Sequence, residues 1–308
     1  MNKNAAKQPR ADLTADELLL IPKINPAYHF GNIAEEVGFD LSEKRKVLLT
    51  GHMGCGKTSL FEQLAAQMNQ PVIRANMNGQ TSISDFVGFW TAKGGETVWV
   101  DGALPLAMRN GYWLVIDELD FAEPSILSVL NSVAEKDGKL FLKEKGHEIV
   151  TPHNQFRLVA TANTAGVMES CRHIYQGANI LNRALLDRFR VYHVDYLNAQ
   201  QEAKVLTNTV KDLPLDVAQT LVKLANDVRA AFNNEELGST FSLRQLIDFA
   251  ELMTRKRDKY KGGGKAPNEM IMESAEICIY SKVSREDGEV IKAMVTKTLL
   301  KKDGAKAA

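Results

Sequence analysis

The chain has 308 residues, 44% of them hydrophobic and 25% charged, which is typical of a globular protein with room for two domains. Lys plus Arg and Asp plus Glu each number 38, so the formal net charge is zero and argues against a protein that mainly coats nucleic acid. The three cysteines lie far apart and no run of about 18 apolar residues occurs. We therefore expect reduced thiols, a cytoplasmic location, no signal peptide and no membrane span.

Residues 1–30 are interpreted as an N-terminal arm that is partly disordered. Its second part, residues 21–30, carries two prolines and two aromatic residues, which indicates an extended segment packed on a domain surface. Residues 31–197 are predicted to form one α/β domain, because short apolar runs alternate there with helical patterns. Residues 198–308 lack strand patterns and are predicted to form a helical domain with a polar tail.

Five apolar runs in the first domain predict strands. They are KVLLT (46–50), VIRANM (72–77), WLVID (113–117), RLVATAN (157–163) and RVYHV (190–194). Strands separated by helices favour a parallel sheet that is covered on both faces. Glycine-containing turns at 88–102 and 139–150 predict two hairpin insertions.

Two amphipathic helices are predicted in the second domain, over residues 217–232 and 243–253. The basic stretch RKRDKYKGGGKAP (255–267) is interpreted as a flexible linker. More helix is expected after it.

A glycine-rich loop follows the first predicted strand. GHMGCGKT (51–58) matches G-x-x-x-x-G-K-[ST], lies between a strand and a helix, and so predicts a phosphate-binding loop. Lys57 can reach the outer phosphates, and the Thr58 hydroxyl can ligate Mg²⁺. The candidate phosphate-binding residues are Gly51, Gly54, Cys55, Gly56, Lys57, Thr58 and Ser59.

Polar residues end two further strands. Asp117 can hold Mg²⁺ through water, and Glu118 can polarise a water for attack on a γ-phosphate; the alternative is that both acids cap the following turn. Asn163 can orient that water, although asparagine also ends strands for turn reasons. Ligands bind at the carboxyl ends of parallel strands, where the glycine loop, Asp117 and Asn163 are all expected.

Three arginines are candidates for roles at a phosphate. Arg188 precedes the fifth strand and could reach the nucleotide of a neighbouring subunit as an arginine finger, with Arg183 as a second candidate; the alternative is a surface pair with Asp187. Arg244 lies in the first turn of a helix that Ser242 and Gln245 are predicted to cap, and it could instead be a solvated residue.

In this order the motifs resemble the AAA+ ATPases of the MoxR-like branch, and in particular the CobS subunit of cobaltochelatase. The resemblance covers roughly residues 22–250 and is carried by the stretches NPAYHF (25–30), DGALPLAMRNG (101–111), FRLVATANTAG (156–166) and YQGANILNRALLDRF (175–189). It implies a P-loop AAA+ fold with sheet order 5-1-4-3-2 and an all-helical lid. The stretch VMESCRHIYQGA after the fourth strand departs from the CobS pattern.

The resemblance also implies a mechanism. ATP and Mg²⁺ would bind in a homo-oligomeric ring, usually a hexamer, with Lys57, Thr58, Asp117, Glu118 and Asn163 acting within one subunit. Arg188 would act from the adjacent subunit and Arg244 would couple the lid to the nucleotide. The ring would remodel a partner protein, such as one with a von Willebrand A domain or a metal chelatase complex.

Three alternatives stay open at this point. A nucleic-acid-dependent AAA+ motor is favoured by the basic stretch 255–265 and disfavoured by the neutral net charge. A nucleotide-gated scaffold with little turnover is disfavoured by Glu118. A small-molecule kinase is disfavoured by the helical lid and by the Asp-Arg-Phe segment at 187–189.

Overall fold

The computed structural model describes residues 13–78, 80–163, 179–259 and 266–300. The chain divides into two compact units. The first comprises residues 1–26 and 30–195, and the second comprises residues 27–29 and 196–308. None of the described helices is long and apolar enough to cross a membrane.

The first unit is built around a parallel sheet. Its described strands are β1 (Val47–Thr50), β2 (Val72–Asn76), β3 (Gly88–Lys93), β4 (Glu96–Asp101), β5 (Trp113–Asp117), β6 (Leu140–Leu142), β7 (Glu148–Val150), β8 (Arg157–Ala162) and β9 (Arg190–His193). Five of them form one sheet in the order β2-β5-β8-β1-β9, and all neighbours in it are parallel. If the five strands of this sheet are numbered 1 to 5 along the chain, the order read from β9 to β2 is 5-1-4-3-2. The predicted strand order is thereby confirmed.

Helices surround this sheet. They are α1 (Ala15–Leu18), α2 (Ala34–Ser42), α3 (Lys57–Gln67), α4 (Ile83–Val87), α5 (Ala103–Asn110), α6 (Pro124–Val133) and α7 (Arg183–Leu186). Strands β1 and β5 are buried along their whole length, which explains their continuous apolar runs without alternation. Helix α3 buries Leu60, Phe61 and Leu64, and α6 begins with a proline at its first position.

Both predicted hairpins are confirmed. The first hairpin, β3–β4, turns at Gly94 and Gly95, whose φ angles are 63° and 87°. The second hairpin, β6–β7, turns through Gly146 with φ 66°. The indole nitrogen of Trp90 donates to the Glu144 carbonyl at 2.9 Å, so a hydrogen bond joins the two hairpins.

The N-terminal arm contacts α3 through one buried side chain. The Gln63 carbonyl oxygen accepts from the Asn25 N–H at 2.8 Å, and its amide nitrogen donates to the Lys23 carbonyl at 3.1 Å. Residues 22–25 contain no helix or strand. An extended arm held on a helix surface accounts for both observations.

The described part of the second unit is helical. Its helices are α8 (Ala199–Thr209), α9 (Leu215–Asn233), α10 (Leu243–Lys259), α11 (Pro267–Cys278) and α12 (Arg285–Leu299). The prediction of a linker from residue 255 is wrong for 255–259, because α10 continues to Lys259. Arg and Lys are good helix formers, and Lys256 pairs with Glu273 of α11 at 3.0 Å. Residues 260–265 of the predicted linker lie outside the described residues.

Candidate functional site

The glycine loop connects β1 to α3 in a backbone conformation that glycine alone adopts without strain. Gly51 has φ 143°, and a Cβ there would lie 2.2 Å from the Val194 carbonyl oxygen. Gly54 has φ 74°, and Gly56, which caps α3, has φ 95°. The loop thus delivers the amino end of α3, with its N–H groups and positive dipole end, to the carboxyl edge of the sheet.

Two other predicted loop residues have different surroundings. Cys55 is buried with a free thiol, and burial raises the pKa of that thiol. Ser59 lies in the first turn of α3 and is partly exposed.

Lys57 is buried at the first position of α3, with 8% of its surface exposed. Its ammonium donates to the carbonyl oxygens of Gly51 at 2.6 Å and His52 at 2.9 Å, and to Asn163 Oδ1 at 3.2 Å. Burial lowers the pKa of Lys57, and neighbouring carboxylates including Glu118 oppose that effect. The ammonium is therefore held at the loop by neutral acceptors.

Asp117 ends β5 and its carboxylate has four hydrogen bonds. Thr58 Oγ1 donates to Oδ1 at 2.6 Å, and Thr161 Oγ1 donates to the same oxygen at 3.1 Å. Arg74 of β2 donates to Oδ2 from Nε at 2.9 Å and from Nη2 at 2.6 Å. The predicted metal ligands Thr58 and Asp117 are thus in direct contact, while sequence reasoning missed Arg74 and Thr161.

Glu118 follows in the left-handed region, with φ 57°. Its N–H donates to Thr161 Oγ1 at 3.3 Å. Burial raises the pKa of Glu118, the Asp120 and Asp117 carboxylates raise it further, and Lys57 opposes them. Its carboxylate therefore binds a proton more readily than an ordinary glutamate does.

Asn163 is buried just after β8, where it contacts Lys57 and Asp120. Its side-chain oxygen accepts from Lys57, as described above, and its N–H donates to Asp120 Oδ2 at 3.0 Å. Asp120 is fully buried in a 3-10 turn after β5. Its carboxylate therefore connects the end of β8 to the end of β5. Sequence reasoning gave Asp120 no role of its own, although a third acid in WLVIDELD was visible.

The arginine-finger candidates lie around α7. Arg188 Nε donates to Glu135 Oε1 at 2.9 Å, and its Nη1 donates to the Ala184 carbonyl. This pairing differs from the Asp187 partner that the alternative interpretation expected. Arg183 is exposed at the first position of α7.

Arg244 belongs to the second unit and is exposed in the first turn of α10. The predicted cap is confirmed, because Ser242 Oγ accepts from the Gln245 N–H at 3.2 Å. In return, Gln245 Oε1 accepts from the Ser242 N–H at 3.0 Å.

A parallel sheet in this order defines a P-loop nucleoside-triphosphatase fold when a glycine loop follows β1 and an Asp-Glu pair lies at the end of β5, as here. The model for the AAA domain (dynein-related subfamily) matches residues 46–189. The model for the CbbQ/NirQ/NorQ C-terminal region matches residues 202–296.

Three relatives show how far the similarity extends. The aerobic cobaltochelatase subunit CobS of Sinorhizobium sp is 33% identical over 243 residues, which is 75% of this chain and 72% of that protein. An uncharacterized protein of Staphylococcus aureus is 30% identical over 226 residues, which is 70% of this chain and 80% of that protein. Midasin of Dictyostelium discoideum is 31% identical over 261 residues, which is 83% of this chain and 4% of midasin. The chain belongs to the AAA+ ATPases, as a MoxR-like member of the CobS-like type.

Proposed function

We propose that this chain is an ATP-hydrolysing ring motor that uses ATP binding and hydrolysis to remodel a partner protein. One observation carries the proposal. Two side-chain hydrogen bonds, from Lys57 to Asn163 and from Thr58 to Asp117, start at consecutive residues of α3 and end at the carboxyl edge of the sheet, next to Glu118.

The site fits a magnesium ion. Thr58 Oγ1 and Asp117 Oδ1 lie 2.6 Å apart, and hydroxyl and carboxylate oxygens are the ligands that Mg²⁺ prefers. When bound with ATP, the ion would neutralise charge on the phosphates. Lys57 would exchange its loop carbonyls for phosphate oxygens.

Glu118 and Asn163 supply the chemistry of the attacking water in this proposal. Glu118 accepts the proton of the water, since the surroundings that raise its pKa also make it a better base. Asn163 orients the same water with its amide, because Lys57 already fixes the position of its Oδ1.

Two arginines complete the proposed machine. Arg188 acts in the site of the adjacent subunit of a homo-oligomeric ring, usually a hexamer in this family, and Arg244 couples the helical unit to the nucleotide. The partner is a protein with a von Willebrand A domain or a metal chelatase complex. Support for the chelatase comes from the CobS relative, which is named as a cobaltochelatase subunit. The cytoplasmic location stays a prediction.

The nucleic-acid motor finds no support in the described residues. The basic end of α10 is partly neutralised, because Lys256 pairs with Glu273 at 3.0 Å and Arg257 with Asp258 at 3.3 Å. A surface that neutralises phosphates needs cations that are free to exchange counterions.

The ATPase rate per subunit, measured against protein concentration, tests the proposal. It should rise with concentration for the wild type, because complete sites form only between subunits. It should fall by about a hundredfold or more in Glu118→Gln and in Arg188→Ala, as expected for removal of a base or an arginine finger.

Mixing variants provides the control. Lys57→Ala subunits lack a working loop but keep Arg188, so adding them to Arg188→Ala subunits should restore part of the rate. A rate per subunit that does not depend on concentration, together with normal activity in Arg188→Ala, would contradict the shared-site ring.

A further inference from the structure

A buried ion pair lies inside the second unit. Glu202 of α8 is fully buried, and Arg229 of α9 is 6% exposed. Arg229 Nη1 donates to Glu202 Oε2 at 2.8 Å. Burial raises the pKa of Glu202, and Arg229 opposes that effect. Such a pair adds little to stability compared with apolar residues of similar volume, so its presence calls for another explanation.

The guanidinium of Arg229 has two further partners outside α8 and α9. Its Nε donates to the Phe241 carbonyl oxygen at 2.8 Å. Its Cζ lies 3.8 Å from the centre of the Tyr196 ring, which is a cation–π contact. One buried side chain therefore holds two segments that are 45 residues apart in the chain.

Both segments occupy positions that matter for an AAA+ mechanism. Tyr196 is the residue at which the chain leaves the first unit, whose last residue is Asp195. Phe241 directly precedes Ser242, the cap of α10, and Arg244 lies in the first turn of that helix.

Arginine is the side chain that can make these contacts together. Its planar group offers N–H donors around the edge and a face for an aromatic ring, whereas the ammonium of lysine is a point charge. Arg229 Nη2 and Glu202 Oε1 are buried without a hydrogen-bond partner in the described residues, so the network is not arranged for maximal stability. Its geometry is instead specific to Tyr196 and Phe241.

We propose that Arg229 is a positioning residue. It fixes Tyr196, where the chain enters the second unit, relative to the start of α10. Arg244 and the entry of the second unit then change position together when a nucleotide binds. This inference rests on the proposed function, in which Arg244 responds to the nucleotide.

The conservative variant Arg229→Lys tests the inference, because it keeps the charge beside Glu202 and loses the simultaneous contacts. We expect ATP to bind about fivefold to tenfold more weakly, measured in the Glu118→Gln background so that hydrolysis does not intervene. Hydrogen exchange should accelerate about tenfold at the amides of residues 196–198 and 242–246 together, while residues 221–228 inside α9 keep their wild-type rates.

A double-mutant cycle separates positioning from general damage. If Arg229 acts through Arg244, Arg229→Lys should cause no further loss of ATP affinity in Arg244→Ala. Arg257→Lys is the matched control, since Arg257 lies in the same unit and contacts Asp212 and Asp258 instead. Its ATP affinity should match the wild type.

Glu202→Gln/Arg229→Met guards against a folding artefact, because it removes both buried charges together. This variant should unfold at the wild-type denaturant concentration yet bind ATP as weakly as Arg229→Lys. Normal ATP affinity in both variants, or additive losses in the cycle, would overturn the inference. If instead the wild type fails to bind ATP, the proposed function fails, and hydrogen exchange still decides whether Arg229 links the two segments.

Discussion

Asp117 carries a positive partner that the sequence did not reveal. Arg74 places two donors on Asp117 Oδ2 and a third on Glu62 at 3.1 Å, while 53% of its side chain is exposed. Asp117 itself is buried, and the guanidinium places a positive charge beside its carboxylate. The positive charge of Arg74 therefore lies beside the carboxylate that is predicted to bind a metal ion.

This contact predicts competition between Arg74 and a divalent ion. In Arg74→Gln, Mn²⁺ should bind up to about fivefold more tightly without nucleotide, because a partly exposed ion pair is worth at most about 1 kcal/mol. Electron paramagnetic resonance of free Mn²⁺ measures this directly. Arg190→Gln, which removes an exposed arginine of β9, should leave the affinity unchanged.

Asp117→Asn should abolish the Mn²⁺ binding that Arg74→Gln enhances. Equal Mn²⁺ affinity in the wild type and in Arg74→Gln would mean that Arg74 only orients Asp117. That result would leave the proposed ATPase activity untouched.

Strands and motifs were predictable because their signals are local. The five sheet strands agree with the predictions to within one residue at each end, since buried parallel strands give unbroken apolar runs. The carboxyl-edge positions of Asp117 and Asn163 followed from chain order and the rule for parallel sheets.

Other contacts could not be predicted, because they depend on strand order and on side-chain reach. Arg74 and Asp117 are 43 residues apart and meet only because β2 and β5 are neighbours. Arg229 and Phe241 meet across a helix–helix connection. The end of α10 was mistaken for a linker because its basic composition carries no apolar stripe, although the residues themselves favour helix.

The first hairpin depends on one glycine at its base. Gly88 has φ 131°, and a Cβ there would lie 2.5 Å from the Val100 carbonyl oxygen and 2.6 Å from the Trp99 ring. Neither the backbone of β4 nor the packed indole can move away without disturbing the strand pair.

Gly88→Ala should therefore destabilise the first unit by about 1–3 kcal/mol, through steric overlap and backbone strain. Urea unfolding followed by tryptophan fluorescence measures this, because all three tryptophans lie in that unit. Gly31→Ala is the control, since a Cβ at Gly31 meets nothing within 4 Å, and its effect should stay within about 0.5 kcal/mol. Equal midpoints for the two variants would contradict the steric argument.

At the scale of the whole molecule, Arg188 is the residue that we propose to link one subunit to the next. Within one chain its guanidinium is held by Glu135, whose side chain is 55% exposed, and by the Ala184 carbonyl. In the proposed ring, Arg188 would have to present its guanidinium to the neighbouring nucleotide, so its pair with Glu135 would either compete with ring assembly or prepare for it.

Glu135→Gln distinguishes these two roles. If the pair competes, the variant should reach half of its maximal ATPase rate per subunit at a concentration up to about fivefold lower, because breaking an exposed ion pair costs at most about 1 kcal/mol. Glu123→Gln, which removes an exposed acid just before α6, should match the wild type. If Glu135→Gln instead loses activity as Arg188→Ala does, Glu135 holds the guanidinium in its working position. A guanidinium that is already aligned before assembly would lose less conformational entropy when it reaches the neighbouring site. Hydrolysis would then depend on Glu135 as much as on Arg188.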